Sequence, residues 1–484
     1  MEVLPKTVDY SEPMGVIPAG TENIHCTCYP VNGGGPFQQG QQIIVDLNNV
    51  GYLDPASLSI RYKMTLTTPL QAAAHAAGVS YSIAGCPVYA PILRMDTLFN
   101  SNVVESINNY NSVATALSNL EWSVADKQGL ASGLGYNSSI YTACSVAGAL
   151  SGPVDASMIP ENTDGLTVVV ANAAATTGAS TLVYSFSAPL PSLLSNAEKL
   201  VPLNGTNIRL QFTLDALANV CPSAITQLLP YTTAAGSTVG GAVANAGAFA
   251  SYAISCFEVV YNQVQFPPHI ERRILDMPKL RIKTSSYATG LQSLGAGLQG
   301  TVNLVYNLRY ASIKAMFLLM GSSSANSVNK LLESIDISSG SGSYNFQVNG
   351  TYYPQNPLST LNNRSGVLVE LRRAMQDLYA NNNTSMSIDA AEFAATDASV
   401  NAAATTVACP AKFYVGVNTS KISSHAMYSG ISSQNSPITA IINIGAGGGG
   451  AAGVSALTYS PILMLYYDAI IEIDTQTKQV NYIY

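Results

Sequence analysis

Histidine and cysteine side chains near the N-terminus are the first candidates for chemistry. The segment His25-Cys26-Thr27-Cys28 places three side chains that bind zinc in other proteins close together in sequence. A structural zinc site needs a fourth ligand at a defined spacing, and we identify none. We therefore expect no metal site here and interpret the segment as part of an N-terminal arm with incidental thiols.

Catalytic signatures are the second kind of pattern to look for. The sequence contains four histidines: His25, His75, His269 and His425. None of them lies in an HExxH, a GxSxG or a kinase-like pattern. The run Gly445–Gly453 shares only its glycine content with a phosphate-binding loop, because Val454 follows where such a loop has Gly-Lys-Ser or Gly-Lys-Thr. We predict no catalytic, cofactor-binding or metal-binding residue, and no enzyme activity.

The composition bears on what covers the surface. Hydrophobic residues make up 47% of the chain and charged residues only 10%, against about 25% charged residues in a typical globular protein. Disordered chains are poor in apolar residues, and no run here approaches the ~20 continuous apolar residues of a membrane-spanning helix. We expect a folded protein without a transmembrane segment, much of whose surface is covered by other subunits.

The charge balance argues against tight nucleic-acid binding. The net charge is -7, and no cluster of lysine and arginine stands out. The pair Arg272-Arg273 is too small to hold nucleic acid or a membrane at physiological salt. We interpret it as part of a linker held to acidic neighbours.

The cysteines and the N-terminal residues indicate a reducing compartment. Seven scattered cysteines do not make a disulfide framework, so we expect reduced and mostly buried thiols. The N-terminus MEVLPKTVDYSEP has no basic region followed by an apolar core, so we expect no secretory signal and synthesis in a cytoplasm. Matches to Asn-x-Ser/Thr are expected by chance in a chain of this composition, and they include Asn137, Asn204 and Asn349.

Short runs of β-branched and aromatic residues, bounded by Asn, Gly, Pro and Ser, recur along the chain and predict strands. They are 41–47, 57–67, 206–214, 256–266, 300–310, 314–320, 343–350, 411–417 and 461–473. Asn349-Gly350 is the signal for a tight turn with positive φ. Stretches rich in Ala, Gly, Ser and Thr predict long loops at the ends of barrels, at 71–85, 129–152, 232–247, 390–406 and 445–453.

The chain has the pattern of a duplicated β-domain. Each half has strands, a turn, one short amphipathic helix and a long apolar closing strand. The helices are predicted from apolar residues at helical spacing, which are Val113, Leu117, Leu120 and Val124 in the first half and Val367, Leu371, Met375 and Leu378 in the second. Trp122, the only tryptophan, is expected to anchor the first helix to its barrel. Pro267 and Pro268 place the boundary between Phe266 and Lys279, with a charged helical turn in HIERRIL.

Several segments in this order and spacing resemble the double jelly-roll major capsid proteins of double-stranded DNA viruses, particularly the virophage and polinton-like group. The resemblance spans Gly40 to Ile473, and the large Ala/Gly-rich insertions depart from it. The segments are PFQQGQQIIVDL with SLSIRYKMTL, LFNSNVVESINNYN, PLPSLLSNAEKLVPLNGTNIRLQFTL, and LLESIDIS with NFQVNGTYYPQNPL.

The resemblance implies an all-β fold of two tandem eight-stranded antiparallel jelly-roll barrels, with short helices and long Ala/Gly-rich loops. We expect the domains at 1–36 (N-terminal arm), 37–266 (first jelly roll), 267–278 (linker), 279–474 (second jelly roll) and 475–484 (C-terminal tail).

The implied function is that of a major capsid protein, located in the virion and made in the host cytoplasm. It implies a homotrimer that forms a pseudo-hexagonal capsomer of an icosahedral shell, with neighbouring capsomers, penton and minor capsid proteins as partners. Two alternatives stay open. One is a single jelly-roll capsid protein with a protruding domain, and the other is a β-rich adhesin or carbohydrate-binding surface protein, since the Ala, Gly, Ser, Thr and Asn bias also suits extracellular fibres.

Overall fold

The structure is a computed structural model that describes most of the chain. The described residues are 19–67, 79–83, 85–123, 126, 130–134, 161–162, 165–170, 181–221, 231–232, 238–239, 250–295, 300–322, 334, 336–337, 342–361, 363–375, 388, 393, 412–421, 429–444 and 459–484.

Strands dominate the described residues. In the first half they are β1 (Glu22–Cys28), β2 (Gln42–Asp46), β3 (Tyr52–Leu53), β4 (Ser59–Thr67), β5 (Val79–Ser82), β6 (Ile92–Phe99), β7 (Asn102–Asn108), β8 (Glu161–Asn162), β9 (Gly165–Val170), β10 (Thr181–Pro189), β11 (Val201–Pro202), β12 (Ile208–Leu214), β13 (Tyr231–Thr232), β14 (Thr238–Val239) and β15 (Ser251–Gln265). In the second half they are β16 (Lys279–Leu291), β17 (Gly300–Tyr306), β18 (Ile313–Ser322), β19 (Ser343–Val348), β20 (Thr351–Ser359), β21 (Val415–Asn418), β22 (Ile438–Ile444), β23 (Tyr459–Asp474) and β24 (Val480–Ile483).

The helices of the described part are short. They are α1 (Tyr110–Glu121), α2 (Ala131–Leu134), α3 (Leu217–Val220), α4 (Pro268–Leu275) and α5 (Arg364–Ala374), with a 3₁₀ helix at Pro55–Ser57.

Alternation of apolar and polar residues explains why these runs become strands. In β12, Ile208, Leu210 and Phe212 are fully buried while the residues between them are partly exposed. Successive side chains of a strand point to opposite faces, so one face of the sheet packs on the core and the other meets solvent. The same alternation runs through β4 and β22.

Two sheets in each half have the same strand order. In the first half, β1–β15–β4–β10 form one sheet, which the short strands β3 and β11 extend, and β2–β12–β6–β7 form the other. In the second half, β16–β23–β18–β21 form one sheet and β17–β22–β19–β20 the other. When the eight strands of either half are numbered along the chain, the orders are 1-8-3-6 and 2-7-4-5 in both. Two four-stranded sheets in this order are a jelly roll.

The fold predicted from the sequence is therefore confirmed: the chain has two tandem eight-stranded antiparallel jelly rolls. A single jelly roll with a protruding domain is wrong, because the second half has the same sheets and the same strand order as the first. Aromatic side chains fill the space between the sheets. In the first barrel the rings of Phe212 and Phe257 are 5.1 Å apart, and in the second barrel those of Tyr344 and Phe413 are 5.6 Å apart.

The segment expected to be an N-terminal arm, 1–36, requires a correction. Residues Glu22–Cys28 form β1, which pairs along its whole length with β15 and is the first strand of the first barrel. The sequence signal was weak because only Cys26 and Cys28 of this strand are buried. The C-terminal tail, 475–484, also contributes a strand, since β24 pairs with the end of β23. We propose domain limits that include both strands.

The predicted helical turn and the two predicted helices lie where the sequence places them. The helical turn predicted in 267–278 is confirmed as α4, and the helix predicted in each half is confirmed as α1 and α5. The expectation of one apolar face is wrong for α1, because every residue from Tyr110 to Leu120 is buried. Val124 and Leu378 lie outside the described residues.

Most of the predicted Ala/Gly-rich loops lie outside the described residues, and 445–453 does so entirely. Where the structure describes parts of them, it shows β5, α2 and β14. The strands β5, β9 and β8 form a small three-stranded sheet that the sequence did not predict.

The turn between β19 and β20 generates a prediction about stability. Asn349 and Gly350 have φ of 50° and 78°, and the space around Gly350 is open to an added Cβ. The left-handed conformation costs an L-residue about 1–2 kcal/mol, so Gly350→Ala should lower the free energy of unfolding by about that amount, measured by denaturant titration. Gly295→Ala is the control, because Gly295 has equally open space and no positive φ. Equal stability of the two variants would contradict the hairpin geometry.

Candidate functional site

The candidate metal ligands near the N-terminus do not converge. His25 is exposed on one face of β1, whereas Cys26 and Cys28 are buried on the other. The Nδ1 atom of His25 lies 3.3 Å from Oδ1 of Asn262, and the thiol of Cys26 donates to Oε1 of Gln263 at 3.1 Å. In the described part of the chain, no three His, Cys, Asp or Glu side chains form a group that could hold a metal ion.

The cysteines that the structure describes are free thiols. Cys26, Cys28, Cys86 and Cys221 are buried, and Cys256 is exposed. Burial raises the pKa of the Cys28 and Cys221 thiols, which keeps them protonated near neutral pH. The remaining two cysteines, Cys144 and Cys409, lie outside the described residues.

The other residues considered for chemistry are scattered. His269, Arg272 and Arg273 are exposed on α4, and no ion pair of the two arginines forms among the described residues. The expectation that acidic neighbours hold this pair is therefore wrong for the described part of the chain. His75, His425 and the glycine run 445–453 lie outside it.

A cluster of buried polar side chains lies where the two barrels meet. Strand β7 is an edge strand of the first barrel and β16 is an edge strand of the second, and the two contact each other. No backbone ladder joins them among the described residues. We call the contact between β7, residues 190–198 and α1 on one side and β16 on the other the barrel junction.

Glu105 on β7 is the centre of the barrel junction. Its side chain is buried, with only 2% of the residue exposed. The Oε2 atom accepts a hydrogen bond from Oγ1 of Thr97 at 2.9 Å. The Oε1 atom accepts from the backbone N–H of Leu193 at 2.8 Å and from the hydroxyl of Ser286. Thr97 and Leu193 belong to the first barrel and Ser286 to the second, so one carboxyl group joins both.

The electrostatic environment of Glu105 is unusual for a carboxyl group. The pKa of Glu105 is raised to about 7: burial raises it most, the hydrogen bonds from Ser286, Thr97 and Leu193 lower it, and the nearby carboxylate of Asp96 raises it. Removal from water penalises the charged form, and three donors compensate only in part. Glu105 therefore changes its charge near neutral pH.

Side chains on both sides of Glu105 extend the barrel junction. The hydroxyl of Thr284 donates to the carbonyl oxygen of Leu193 at 2.6 Å. The side-chain amide of Asn196 donates to the carbonyl oxygen of Ser285 at 3.1 Å. The N–H of Glu198 donates to the carbonyl oxygen of Lys283 at 3.0 Å, and the side chains of the same two residues form an ion pair at 2.7 Å. These bonds satisfy backbone groups that an edge strand would otherwise bury without partners.

Helix α1 connects the barrels at the other end of the barrel junction. The side-chain amide of Asn119 donates to the hydroxyl of Tyr414 at 3.0 Å, and the hydroxyl of Tyr287 donates to the carboxylate of Glu121 at 3.2 Å. Both tyrosines belong to the second barrel. A helix that packs on two barrels has no solvated face, which explains why α1 is buried all round. Trp122, at the end of α1, is partly buried against the core, in agreement with the expected anchoring role.

The side chains of the barrel junction position the two barrels relative to each other. Thr97 and Ser286 are fully buried and Glu105 nearly so, which leaves no access for a substrate to the one titrating carboxyl group. The arrangement fixes one barrel against the other through directional hydrogen bonds.

Sequence reasoning missed Glu105, although a signal was present. In NVVESIN, Glu105 and Ile107 occupy alternate positions and both are buried. A carboxyl group on the inward face of a strand is rare enough to have been noticed. Its partners Leu193 and Ser286 are 88 and 181 residues away, so the network itself was not readable from the sequence.

Solved structures of virus proteins have a similar fold. A chain of the Sputnik virophage structure is similar over 100% of this chain and 92% of its own, with a TM-score of 0.55 and 14% identity. The mavirus major capsid protein is similar over 100% of this chain and 96% of its own, with a TM-score of 0.55 and 11% identity. VP54 of PBCV-1 is similar over 96% of this chain and 97% of its own, with a TM-score of 0.55 and 9% identity.

These similarities show the fold and extend over the full length of the chain. The resemblance stated from the sequence is confirmed at that level: this is a double jelly-roll protein. No protein-family model matches the chain, and no curated protein matches its sequence. None of the helices that the structure describes is both long and apolar enough to cross a membrane.

The barrel junction generates a prediction about stability. Thr284→Val removes the hydroxyl that donates to Leu193 and leaves a buried carbonyl oxygen without that partner, which costs about 1–3 kcal/mol. We expect the free energy of unfolding to fall by about that amount in a denaturant titration. Thr301→Val on the exposed face of β17 is the control and should change it by less than about 0.5 kcal/mol. An unchanged free energy of unfolding in Thr284→Val would mean that this hydrogen bond does not hold the barrels together.

Proposed function

We propose that this chain is the major capsid protein of a double-stranded DNA virus and that its role is structural. The observation that carries the proposal is the repeat of one strand order in two barrels, joined by buried hydrogen bonds into one unit. Similar solved structures include the mavirus major capsid protein and the PBCV-1 virus capsid. A role in the virion shell, without enzyme activity and after synthesis in the host cytoplasm, fits that fold.

The proposed assembly unit is a homotrimer that forms a pseudo-hexagonal capsomer. Two barrels of the same strand order in each chain, repeated by a threefold axis, give six near-equivalent barrels around a centre. Such a tile packs in hexagonal arrays without six identical chains. An icosahedral shell follows from many such tiles, with pentons at the vertices.

The proposed partners are neighbouring capsomers, penton proteins and minor capsid proteins. Only 10% of the residues are charged, which suits burial in large permanent interfaces. Apolar side chains are exposed on strands at sheet edges: Val183 on β10, Val305 on β17 and Tyr352 on β20 are about half exposed or more, at 60%, 51% and 47%. Exposed apolar groups of this size on edge strands are candidates for contact with other subunits.

The first experiment on this proposal measures mass and shape. Light scattering of the purified protein should give three times the 50.7 kDa mass of the chain. Negative-stain images should show hexagonal tiles or closed particles. An obligate trimer should bury well over the ~800 Å² per partner of a standard complex. A stable monomer at micromolar concentration would contradict the trimer, and fibres instead of particles would favour the adhesin alternative.

The second experiment concerns nucleic acid. With a net charge of -7 and no basic arm, purified capsomers should bind duplex DNA only weakly at physiological salt. Fluorescence anisotropy with a labelled duplex measures this, and residual binding at low salt should disappear as salt is raised. The double variant Arg272→Ala/Arg273→Ala removes the exposed arginine pair of α4 and serves as the comparison. Submicromolar binding by the wild type that this variant loses would show that the linker contacts the genome.

A further inference from the structure

We propose that Glu105 is a proton-responsive joint between the two barrels: its protonated form holds them together more firmly than its carboxylate form. The inference does not depend on the proposed function, because it concerns the barrel junction within one chain. It starts from the position of Glu105, which accepts hydrogen bonds from both barrels and is nearly inaccessible to water.

The three partners of Glu105 allow two protonation states. The N–H of Leu193 can only donate, so Oε1 stays an acceptor in both states. Thr97 is a hydroxyl, which can donate to a carboxylate or accept from a carboxylic acid after rotation. When a proton from solvent binds Oε2, the new O–H of Glu105 donates to Oγ1 of Thr97. Among the partners of Glu105, only the hydroxyl hydrogen of Thr97 has to rotate.

Protonation of Glu105 removes the large energetic cost of a buried charge and adds the smaller cost of one lost hydrogen bond. In the ionised state a full negative charge lies in a water-excluded site, and no ion pair forms between Glu105 and a cation in the described part of the chain. In the protonated state the site is neutral, and the hydroxyl hydrogen of Thr97 loses the acceptor it had. Burying an unpaired charge costs more than losing one hydrogen bond from a hydroxyl.

The carboxylate next to Glu105 favours the protonated form, and the two basic side chains nearby are paired with other acids. This carboxylate is that of Asp96 on β6. It forms an ion pair with Arg94, whose Nε lies 2.9 Å from Oδ1 of Asp96. On the strand that faces Glu105 across the barrel junction, Lys283 is paired with Glu198.

Tyrosines surround the site from the remaining elements. Tyr110 on α1, Tyr310 before β18, Tyr467 on β23 and Tyr482 on β24 all interact with the charge of Glu105. Burial raises the pKa of each, that of Tyr310 to about 12, so all four are neutral where Glu105 titrates. Glu105 is therefore the group of this cluster that changes its charge near neutral pH.

The direction of the effect follows from linkage. The pKa of Glu105 is about 7 in the folded protein against an ordinary value of 4.5. The folded state then binds the proton more tightly than the unfolded state, so stability rises as the pH falls from about 7 towards 4.5. Conversely, this contribution is lost as the pH rises through the folded pKa.

The first measurement compares the wild type with Glu105→Gln, which is neutral at every pH. Thermal midpoints are recorded between about pH 4.5 and about pH 8.5, a range that covers the window between the ordinary and the folded pKa of Glu105. We expect the wild-type midpoint to rise by a few degrees relative to that of the variant on acidification. Hydrogen exchange of the β16 and β7 peptides, corrected for intrinsic rates, should slow over the same range in the wild type alone.

The second measurement tests the direction in which the pKa of Glu105 moves when a hydrogen bond to it is removed. The hydrogen bond from Ser286 stabilises the carboxylate, so Ser286→Ala should move the midpoint of the pH transition upward. Ser312→Ala is the matched control: Ser312 is also fully buried and donates to a carboxylate, that of Asp468, which is paired with Lys314 in the second barrel. It should leave the midpoint of the transition where it is.

Three outcomes would overturn the proposal. One is a parallel pH dependence of the wild type and Glu105→Gln, and another is an unchanged or lowered transition in Ser286→Ala. The third is a transition that moves equally in Ser286→Ala and Ser312→Ala. If Glu105→Gln does not fold, the comparison of the two serine variants still decides.

Discussion

Burying the edge of a sheet is the constraint on which the rest of this structure depends. An edge strand has a row of backbone N–H and C=O groups that need partners once water is removed. In this chain β7 and β16 are buried against each other without a ladder between them, and side chains provide partners instead. Thr284 and Asn196 donate to backbone carbonyl oxygens across the contact, and Thr289 donates to that of Asn108 at 2.8 Å. Directional bonds of this kind fix the position of one barrel on the other in a way that apolar contact alone would not.

The same constraint explains the place of the unusual residues. A carboxylate accepts several hydrogen bonds at once, so Glu105 can satisfy a buried N–H and two hydroxyls from separate segments. The consequence is a buried carboxyl group that forms no ion pair with a cation among the residues that the structure describes. Helix α1 closes the other end of the barrel junction and has no solvated face, which is why its polar residues Asn111 and Asn119 are buried and hydrogen-bonded.

The parts of the fold that depend on local sequence could be predicted, and those that depend on distant partners could not. Alternating apolar residues identified β12, and Asn349-Gly350 identified the hairpin between β19 and β20. Strand β1 was missed because most of its side chains are exposed and its order comes from pairing with β15, more than 230 residues away. Glu105 was missed for a similar reason, since nothing in NVVESIN identifies Ser286 as its partner.

Although the two barrels share a strand order, their free edges differ chemically. Strand β2 of the first barrel is covered by residues 30–32, where the N–H of Val31 donates to the carbonyl oxygen of Ile44 at 2.7 Å and Asn32 bonds the backbone of the same edge. On the equivalent strand of the second barrel, β17, one side chain bonds the backbone: Nε2 of Gln292 donates to the carbonyl oxygen of Val305 at 2.7 Å. The two barrels of one fold therefore protect the corresponding edge differently, the first with a backbone segment and the second with a side chain. In the proposed trimer, six barrels of similar shape would then have threefold and not sixfold chemistry, because the two edges of each chain differ.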